Sequence, residues 1–424
     1  MATYDSYKDS GVKWLGQIPS HWEVKKLRAF FDRRNHKVSD KDYAPLSVTK
    51  NGIVPQMENV AKSKDSDNRR LVRVGDFVIN SRSDRKGSSG VSSLEGSVSF
   101  VNTIMIPRDN VISSYCNYLL KSIAFVEENY RNGHGIVADL WTTSFDEQKL
   151  IKLAMPPLCE QEAIVSYLDK VTADIDKAIE AQQKMIDALN ERKQIIITRA
   201  VTRGLNPDAP LKDSGIDWLG QIPEHWEISH LKRFSTLILG KMLDTTSGTS
   251  TNWSRYICAK DVHFDGIDTT DLKTMYFSEK EKSLYRVTNG DLLIVEGGAG
   301  AGGCAIVSNI QENIYIQNSI IIIRPNVYLN NEYIAYLIQS LVKRGYIEFA
   351  CNKATIPHFT KEKVGRVTIS IPPIEEQRRI VSHISKVIQP IDNSIMLCEQ
   401  TISLLQERKQ IIINEVVTGK KKVI

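Results

Sequence analysis

The chain of 424 residues contains near-copies of two different segments. Residues 9–30 and 213–234 are identical at 14 of 22 positions, at an offset of 204. Residues 156–202 and 372–418 are identical at 23 of 47 positions, at an offset of 216. The intervening stretches, 31–155 and 235–371, share little sequence. The repeat predicts one frame used twice with a different insert in each copy, and two copies of so long a period exclude a solenoid.

Composition indicates an ordinary globular protein, with 42% hydrophobic and 25% charged residues. The length allows two or more domains, each with its own core. The six cysteines form no C-x-x-C pair, which favours reduced thiols and a cytoplasmic location. No apolar run approaches the roughly 18 residues that span a bilayer, so we expect no membrane segment.

The net charge of +5 is carried by residues 1–155, because the remaining residues balance. Basic residues cluster there at Arg69, Arg70 and Arg73, and again in a Ser/Gly-rich loop that contains Arg82 and Arg85. A charge this small does not support strong non-specific binding to nucleic acid. Either a solvated surface or contacts with phosphates would explain the clusters.

Each copy of the second repeat predicts a long amphipathic helix. After Pro156-Pro157, apolar residues follow one another at steps of three and four, the spacing of a heptad coiled coil. They are Ile164, Leu168, Val171, Ile175, Ala178, Met185, Leu189 and Ile196. Each helix would run about 43 residues, or roughly 65 Å, with Pro390 as an expected kink in the second. If an approximate two-fold relates the halves, the two helices pack antiparallel.

Both inserts show the same order of elements, short strands followed by a helix. The strands are expected at 43–49, 71–74, 77–80 and 98–106, then at 255–260, 291–296, 304–307 and 314–324, and the helices at 113–131 and 331–349. We therefore predict an α/β (α+β) fold with a pseudo-two-fold internal repeat. Two mixed α/β domains, 1–155 and 205–371, are joined by two long antiparallel helices in 156–204 and 372–424.

Motifs that suggest catalysis lack the required context. Gly298, Gly300 and Gly303 match a dinucleotide fingerprint, but the sequence after them predicts a strand where that fingerprint needs a helix. The E-x-K triplets at 191–193 and 407–409 lie in the middle of the predicted helices, without a convergent carboxylate cluster. No histidine or cysteine spacing fits a metal site. We expect a chain that is not an enzyme and that binds no cofactor or metal.

The repeated motifs resemble those of a known family. Gly16, Ile18, Pro19 and Trp22 form a G-x-I-P-x-x-W pattern that recurs at 220–226. P-P-x-x-E-Q opens each long helix and E-R-K-Q-I-I-I lies near its end, while GDLLIVEGG and TIPHFTKEKV occur in the second insert. The whole chain resembles the specificity (S) subunit of type I restriction–modification systems, the HsdS family. Its first insert departs from the pattern, with LWTT at 140–143 in place of TIPH.

The resemblance implies a function. Each insert domain would be a target-recognition domain that reads one half of a bipartite site in double-stranded DNA, and the helices would act as a molecular ruler. Two methylation subunits would use S-adenosylmethionine to methylate adenine, and two translocase–nuclease subunits would use ATP and magnesium to restrict DNA. Two alternatives stay open: a coiled-coil scaffold that reads no DNA, and a chain with its own methyltransferase or nuclease activity.

Candidate DNA-reading residues are polar side chains in the loops of the two inserts. Arg can bridge the major-groove edge of guanine and Asn that of adenine. In the first insert the candidates are Thr49, Lys50, Asn51, Asn80, Arg82, Arg85, Lys86, Ser88, Arg131, Asn132 and His134. In the second they are Lys260, Asp261, Glu296, Gln317, Asn318, Lys353, Thr355 and His358. For each single residue, an ordinary structural role in its loop is the competing interpretation.

Overall fold

The computed structural model describes residues 3–56, 67–135, 141–244, 253–351 and 357–423. It divides into two compact units. Unit 1 comprises Met1–Gln183 and Glu399–Ile424, and unit 2 comprises Lys184–Cys398. Each unit therefore contains one copy of the repeated N-terminal segment, one insert and parts of both long helices. No helix in the described part of the chain is long and apolar enough to cross a membrane.

The helices are short within the inserts and long outside them. They are α1 Ser113–Lys121, α2 Ile123–Arg131, α3 Phe145–Gln148, α4 Leu158–Arg203, α5 Glu279–Tyr285, α6 Asn331–Lys343, α7 Tyr346–Ala350, α8 Lys361–Arg366 and α9 Ile374–Val417. The two long helices, α4 with 46 residues and α9 with 44, are confirmed. α9 continues through Pro390. The helix expected at 113–131 is divided at Ser122, whose hydroxyl accepts from Phe125 N–H and caps α2.

The buried stripe of the long helices repeats every eleven residues. In α4 it consists of Ile164, Ile175, Ile186 and Ile197, all buried. In α9 it consists of Ile380, Ile391, Ile402 and Ile413, of which Ile402 is half-buried. The predicted heptad register holds up to Ile175 and is wrong at Met185, which is 53% exposed while its neighbour Ile186 is buried. Eleven residues make three turns of 3.67 residues, so the stripe stays on one face without the left-handed supercoil that a heptad imposes.

The two long helices run antiparallel within each unit. In unit 1, Lys409 Nζ lies 2.6 Å from Asp176 Oδ1, and Gly419, just after α9, lies against Trp22, which bonds Glu160. Residue numbers thus rise along α9 as they fall along α4. In unit 2, Lys193 Nζ lies 2.6 Å from Asp392 Oδ1, and Gly204 lies against Glu376. The two ion pairs are related by the sequence offset of 216, so each unit repeats the same pairing.

Unit 1 contains a four-stranded and a three-stranded sheet. Its strands are β1 Tyr7–Asp9, β2 Gln17–Pro19, β3 Glu23–Lys26, β4 Phe31–Arg33, β5 Lys37–Val38, β6 Leu46–Thr49, β7 Gly52–Pro55, β8 Arg69–Val72, β9 Phe77–Asn80, β10 Ser89–Val91, β11 Gly96–Ser99, β12 Asn102–Pro107 and β13 Lys152–Met155. The sheet orders are β10-β9-β12-β4 and β11-β8-β5, and β1–β2, β3–β13 and β6–β7 form antiparallel pairs. The strand expected at 98–106 is divided between β11 and β12.

Unit 2 repeats the order of the four-stranded sheet with different side chains, whereas its three-stranded sheet contains a parallel pair. Its strands are β14 Leu211–Asp213, β15 Gln221–Pro223, β16 Glu227–His230, β17 Ser235–Leu239, β18 Trp253–Ile257, β19 Val262–His263, β20 Gly266–Ile267, β21 Lys273–Tyr276, β22 Leu292–Val295, β23 Cys304–Ile306, β24 Tyr315–Ile316, β25 Ile320–Pro325 and β26 Thr368–Ile371. The sheet orders are β17-β25-β22-β23 and β21-β18-β24, in which β18 and β24 are parallel. β25 is central and buried, as its run of β-branched residues favours.

In each unit, the repeated Trp and Glu lie where the start of one long helix meets the end of the other, and we call this contact the closure of the unit. In unit 1, the buried Trp22 donates from Nε1 to Glu160 Oε2 at 3.2 Å, and His21 Nε2 lies 2.7 Å from the same oxygen. The Tyr4 hydroxyl donates to the other carboxylate oxygen, and burial with this bond raises the pKa of Tyr4 well above its usual value. One carboxylate in the first turn of α4 thus binds three side chains from the first 22 residues, of which His21 and Trp22 belong to the repeated segment.

Unit 2 builds the same closure with fewer bonds. His225 Nε2 lies 2.8 Å from Glu376 Oε2, at the start of α9. Trp226 is fully buried, but its Nε1 has no hydrogen-bond partner among the described residues. The position that matches Tyr4 at an offset of 204 is Asp208, which cannot donate in the same way when ionised. Trp226 therefore stabilises unit 2 mainly through the burial of its apolar ring.

The repeated Gln fixes the start of each insert helix. Gln161 Oε1 accepts from Ile112 N–H at 2.9 Å, and its Nε2 donates to the carbonyls of Asn110 and Pro156 at 3.0 Å. Gln377 makes the equivalent bonds, to Asn330 N–H at 2.8 Å and to the carbonyls of Tyr328 and Pro372. The P-P-x-x-E-Q motif thus has two structural roles, closure of the unit by Glu and orientation of the insert helix by Gln.

Replacement of Gln161 by alanine is expected to destabilise unit 1 by about 1–3 kcal/mol, because Ile112 N–H would lose its partner in a buried place. Guanidinium unfolding followed by circular dichroism measures the change. Gln406→Ala on the exposed surface of α9 is the matched control and should leave stability almost unchanged. Equal effects of the two variants would contradict the role assigned to Gln161.

Candidate nucleic-acid interface

The loop after β9 and the segment before α3 lie side by side in unit 1. Arg82 forms a β-bridge with Thr142, and Thr143 N–H donates to the Ser81 carbonyl at 3.0 Å. Thr142 also pairs with His134 through two backbone bonds of 2.9 Å. The structure therefore brings Arg82 and His134, which are far apart in sequence, to one three-segment surface.

Exposed cations surround this surface, and each has a nearby acidic partner. Lys86 Nζ lies 2.8 Å from Glu127 and 4.4 Å from the centre of the Tyr130 ring. The other pairs are Arg85–Asp84, Arg131–Glu128 and His134–Glu147. Exposed ion pairs of this kind contribute about 0–1 kcal/mol each. A phosphate or a base edge could therefore replace the carboxylates at little cost.

The rings of Trp141 and Tyr130 pack together, and Lys86 lies over the Tyr130 ring. This aromatic pair was not among the candidates predicted from the sequence. Their ring centres lie 5.9 Å apart, and Trp141 Nε1 donates to the Tyr130 carbonyl at 2.9 Å. The sequence does show one aromatic residue on each side of Arg131 and His134, namely Tyr130 and Trp141. Only the return of the chain at Trp141 brings the two rings together.

A hairpin brings the first group of candidates to the same side of unit 1. Thr49 Oγ1 donates to the Gly52 carbonyl and accepts from Asn51 N–H, so Thr49 shapes the turn while Lys50 and Asn51 are exposed. A Cβ placed on Gly90 would lie 3.0 Å from Gly52 Cα. This close approach holds the hairpin against β10, the strand that follows the loop containing Arg82 and Lys86.

The corresponding loops of unit 2 meet in the same way. Gly297 forms a β-bridge with His358, and Phe359 N–H donates to the Glu296 carbonyl at 2.6 Å. A Cβ on Gly297 would lie only 2.8 Å from His358 Nδ1, so a side chain at this position would displace the His358 ring. His358 is exposed, and its Nδ1 lies 3.9 Å from Glu296 Oε2. His358 in unit 2 and Thr142 in unit 1 therefore occupy equivalent positions with different side chains.

Several candidate readers have structural bonds in their own loops. Asn80 Oδ1 accepts from Arg82 N–H, and Asn132 Nδ2 donates to the Glu128 carbonyl. In unit 2, Gln317 Oε1 accepts from Ser319 N–H at 3.1 Å, and its Nε2 donates to Asn318. These bonds position the loops and reduce the freedom of the side chains that make them.

Two candidates lie in the interior. Ser88 and Asp261 are each only 4% exposed. Asp261 Oδ2 accepts from Cys258 N–H at 2.9 Å, while its neighbour Lys260 is exposed. Their burial removes both from the surface that a base could reach. Lys353 and Thr355 lie outside the described residues.

The Gly-rich stretch is a loop between two antiparallel strands. β23 begins directly after Gly303 and pairs with β22 from Leu292↔Ile306 to Ile294↔Cys304. The predicted strand after the glycines is confirmed, and the helix that a dinucleotide fingerprint requires is replaced by that strand. Within the described ranges, no group of three or more His, Cys, Asp or Glu side chains could hold a metal ion.

Comparison with known proteins identifies a family domain in the second half of the chain. Residues 223–397 match the family described as Type I restriction modification DNA specificity domain. The provisionally named type I restriction enzyme MjaX specificity subunit of Methanocaldococcus jannaschii is 24% identical, over 98% of each chain. The type I restriction enzyme EcoKI specificity subunit of Escherichia coli is 22% identical, over 68% of this chain and 61% of its own.

A solved structure has the same fold. It is described as the structural basis underlying complex assembly and conformational transition of the type I R-M system. Its matching chain superimposes with a TM-score of 0.71 at 15% identity, covering 95% of this chain and 99% of its own. The matched domain, the similarity along nearly the whole chain and this shared fold agree with the doubled motifs. Residues 223–397 belong to the family of type I restriction modification DNA specificity domains, and the chain as a whole is similar to type I restriction enzyme specificity subunits.

Proposed function

We propose that this chain is the DNA-reading subunit of a type I restriction–modification complex, in which each insert recognises one half of a bipartite site in double-stranded DNA. The observation that carries the proposal is the pair of equivalent loop surfaces. Arg82 meets Thr142 in unit 1, and Gly297 meets His358 in unit 2. The same backbone arrangement presents different side chains, as expected when a common scaffold reads two different sequences.

The proposed readers are the exposed candidates on these surfaces, together with the half-buried Lys86 and Glu296. In unit 1 they are Lys50, Asn51, Arg82, Arg85, Lys86, Arg131, Asn132 and His134, with Thr49 and Asn80 shaping the loops. In unit 2 they are Lys260, Glu296 and His358, with Gln317 and Asn318 in a neighbouring turn. Arg82 is the leading candidate for a guanine contact, because its guanidinium is exposed while its backbone is fixed by the bridge to Thr142.

The proposal assigns all chemistry to partner subunits. Two methylation subunits would bind S-adenosylmethionine and methylate adenine, and two restriction subunits would use ATP and magnesium. The E-x-K triplets support a non-catalytic chain, since Lys193 and Lys409 form ion pairs across the two long helices. The repeated closures around Glu160 and Glu376 support two similar docking surfaces for two copies of one partner. The two long helices would act as the ruler between the half-sites.

Substitution of a single reader is expected to relax one half-site only. In the complex with its methylation partner, Arg82→Ala should cost about 1–3 kcal/mol of discrimination at one base pair of the half-site read by unit 1. His358→Ala should affect one position of the other half-site. Sequencing of methylated adenines in a genome that carries each variant measures the change.

Arg108→Ala is the matched control, because Arg108 is also an exposed arginine of unit 1 but pairs with Asp32. It should leave the methylated motif unchanged. A motif unchanged by both reader variants would contradict the proposed reading surfaces. A wild-type complex without salt-dependent binding to duplex DNA would favour the scaffold alternative.

A further inference from the structure

Unit 2 contains a groove between its reading loop and the long helix α4. The groove has a volume of about 700 Å³. The Gly-rich loop, the β19–β20 hairpin, the end of α6 and α4 form its walls. α4 and α6 contribute polar side chains, namely Asn190, Lys193, Gln194, Gln339 and Lys343. His263 and Asp265 of the hairpin also line it, so the lysines outnumber the one carboxylate.

The two lysines of the groove differ in their partners. Lys193 Nζ bonds Asp392 at 2.6 Å across the helix pair. Lys343 is exposed in the last turn of α6, and its Nζ lies 5.6 Å from the centre of the Phe264 ring. Within the described residues, Lys343 has no hydrogen bond or ion pair with a carboxylate. Its ammonium group can therefore bind an anion without breaking an existing ion pair.

The groove is continuous with the proposed reading surface of unit 2. Ala299, Gly300 and Gly303 line the groove, and Gly297 at the start of the same loop pairs with His358. A duplex held at His358 would thus have part of its backbone near the mouth of the groove. The opposite wall is α4, whose sequence belongs to the repeated frame and not to the variable insert.

Unit 1 has lysines at the equivalent place. The Tyr115 hydroxyl donates to the Val417 carbonyl at 3.5 Å and that of Tyr333 to the Val201 carbonyl at 3.1 Å, so α1 lies on α9 as α6 lies on α4. Lys121 lies six residues after Tyr115, just as Gln339 lies six residues after Tyr333. Lys121 therefore has in unit 1 the position from which Gln339 lines the groove of unit 2. Lys409 corresponds to Lys193 at the offset of 216.

The charge of Lys121 is poorly compensated in the free protein. Lys121 is half-buried, and within the described residues no ion pair or hydrogen bond is formed by its ammonium group. Burial first, and then repulsion by Lys409, lower the pKa of Lys121. Lys409 Nζ bonds both carboxylate oxygens of Asp176, at 2.6 and 2.7 Å, so the ammonium group of Lys121 is the one that a bound anion would compensate.

We propose that both places are sequence-independent sites for the phosphate backbone of the duplex, formed by Lys193 and Lys343 in unit 2 and by Lys121 and Lys409 in unit 1. The inference rests on the proposed function. DNA is favoured over an acidic protein segment because the groove of unit 2 continues directly from the reading loop. Such contacts position the duplex without selecting bases, which suits residues at the junction of the frame and the insert helices.

The test uses the complex with its methylation partner and a duplex that contains its methylated motif. Lys343→Ala and Lys121→Ala should each lower the affinity roughly fivefold to tenfold near 0.1 M salt. Each should reduce the slope of log K against log salt concentration by about 0.9, the value for one lost phosphate contact. The methylated motif should stay the same. Lys343→Arg should retain both the affinity and the slope.

Arg199→Ala is the matched control, since Arg199 is also a cation of α4 but lines a different cavity with Arg203 and His383. It should leave the slope unchanged. Thermal unfolding checks the fold, and Lys121→Ala should be neutral or stabilising, because it removes a poorly compensated charge.

Three outcomes would overturn the inference. An unchanged slope for both lysine variants would exclude phosphate contacts at these places. Loss of complex assembly in the absence of DNA, measured by size-exclusion chromatography, would show that the lysines bind a partner protein. A changed methylated motif would show that they read bases. By contrast, a wild-type complex that does not bind duplex DNA would refute the proposed function itself, and the inference with it.

Discussion

Replacement of Trp22 by alanine is expected to destabilise unit 1 by about 3–5 kcal/mol, the usual cost of removing a large buried aromatic side chain. Trp22 is fully buried, and its ring lies against Gly419 just after α9. It also bonds Glu160 in the first turn of α4. The substitution would therefore leave a cavity where the two long helices and the N-terminal segment meet, and would remove one donor from a largely buried carboxylate.

Hydrogen exchange measured peptide by peptide is the appropriate measurement, because it reports on each unit separately. Amides in the core of unit 1 should exchange about a hundredfold to several thousandfold faster, since 1.4 kcal/mol corresponds to a factor of ten. Trp253→Ala, which removes a tryptophan that is 37% exposed, should change stability by only about 1 kcal/mol or less. Unchanged protection of unit 1 in the Trp22 variant would contradict the closure that we describe.

Exchange of residues 31–155 for the insert of a relative is expected to replace one half of the methylated site and leave the other half intact. The proposed readers of unit 1 all lie within these residues, and those of unit 2 all lie outside them. The junction at Met155 keeps β3 and replaces β13, which pair in antiparallel register from Lys26↔Lys152 to Glu23↔Met155. Backbone hydrogen bonds form this pair, so the new side chains need not disturb it.

Methylation sequencing of a strain that carries the hybrid chain identifies both half-sites at once. The matched control is the reciprocal exchange of residues 235–371, which should change the other half-site. A change in both half-sites after either exchange would contradict the assignment of one half-site to each insert. Loss of methylation with a correctly folded hybrid would instead indicate that the insert contributes to assembly with the partner subunits.

Local sequence patterns were sufficient for the elements that depend on near neighbours. The two long helices follow from their apolar spacing and from the absence of glycine within them, and both are present. The strand after Gly303 follows from a short β-rich run, and it excludes a dinucleotide-binding turn. The internal repeat alone predicted that two dissimilar inserts share one scaffold, and the equivalent orders of the two four-stranded sheets, β4-β12-β9-β10 and β17-β25-β22-β23, confirm this. Each of these features is encoded within a short stretch of chain or in a direct comparison of two stretches.

Tertiary structure decided the features that depend on which distant segments meet. Steps of three and four residues fit both seven- and eleven-residue periods, and only the packing of each helix against its partner selected Ile186 over Met185. The partners of Glu160 likewise lie far away in sequence, at His21 and Trp22. Lys121 and Lys409 are separated by most of the chain, so no local pattern could show that their charges meet. Sequence determines the periodicity and chemistry of each segment, whereas burial and electrostatic environment arise only when segments pack together.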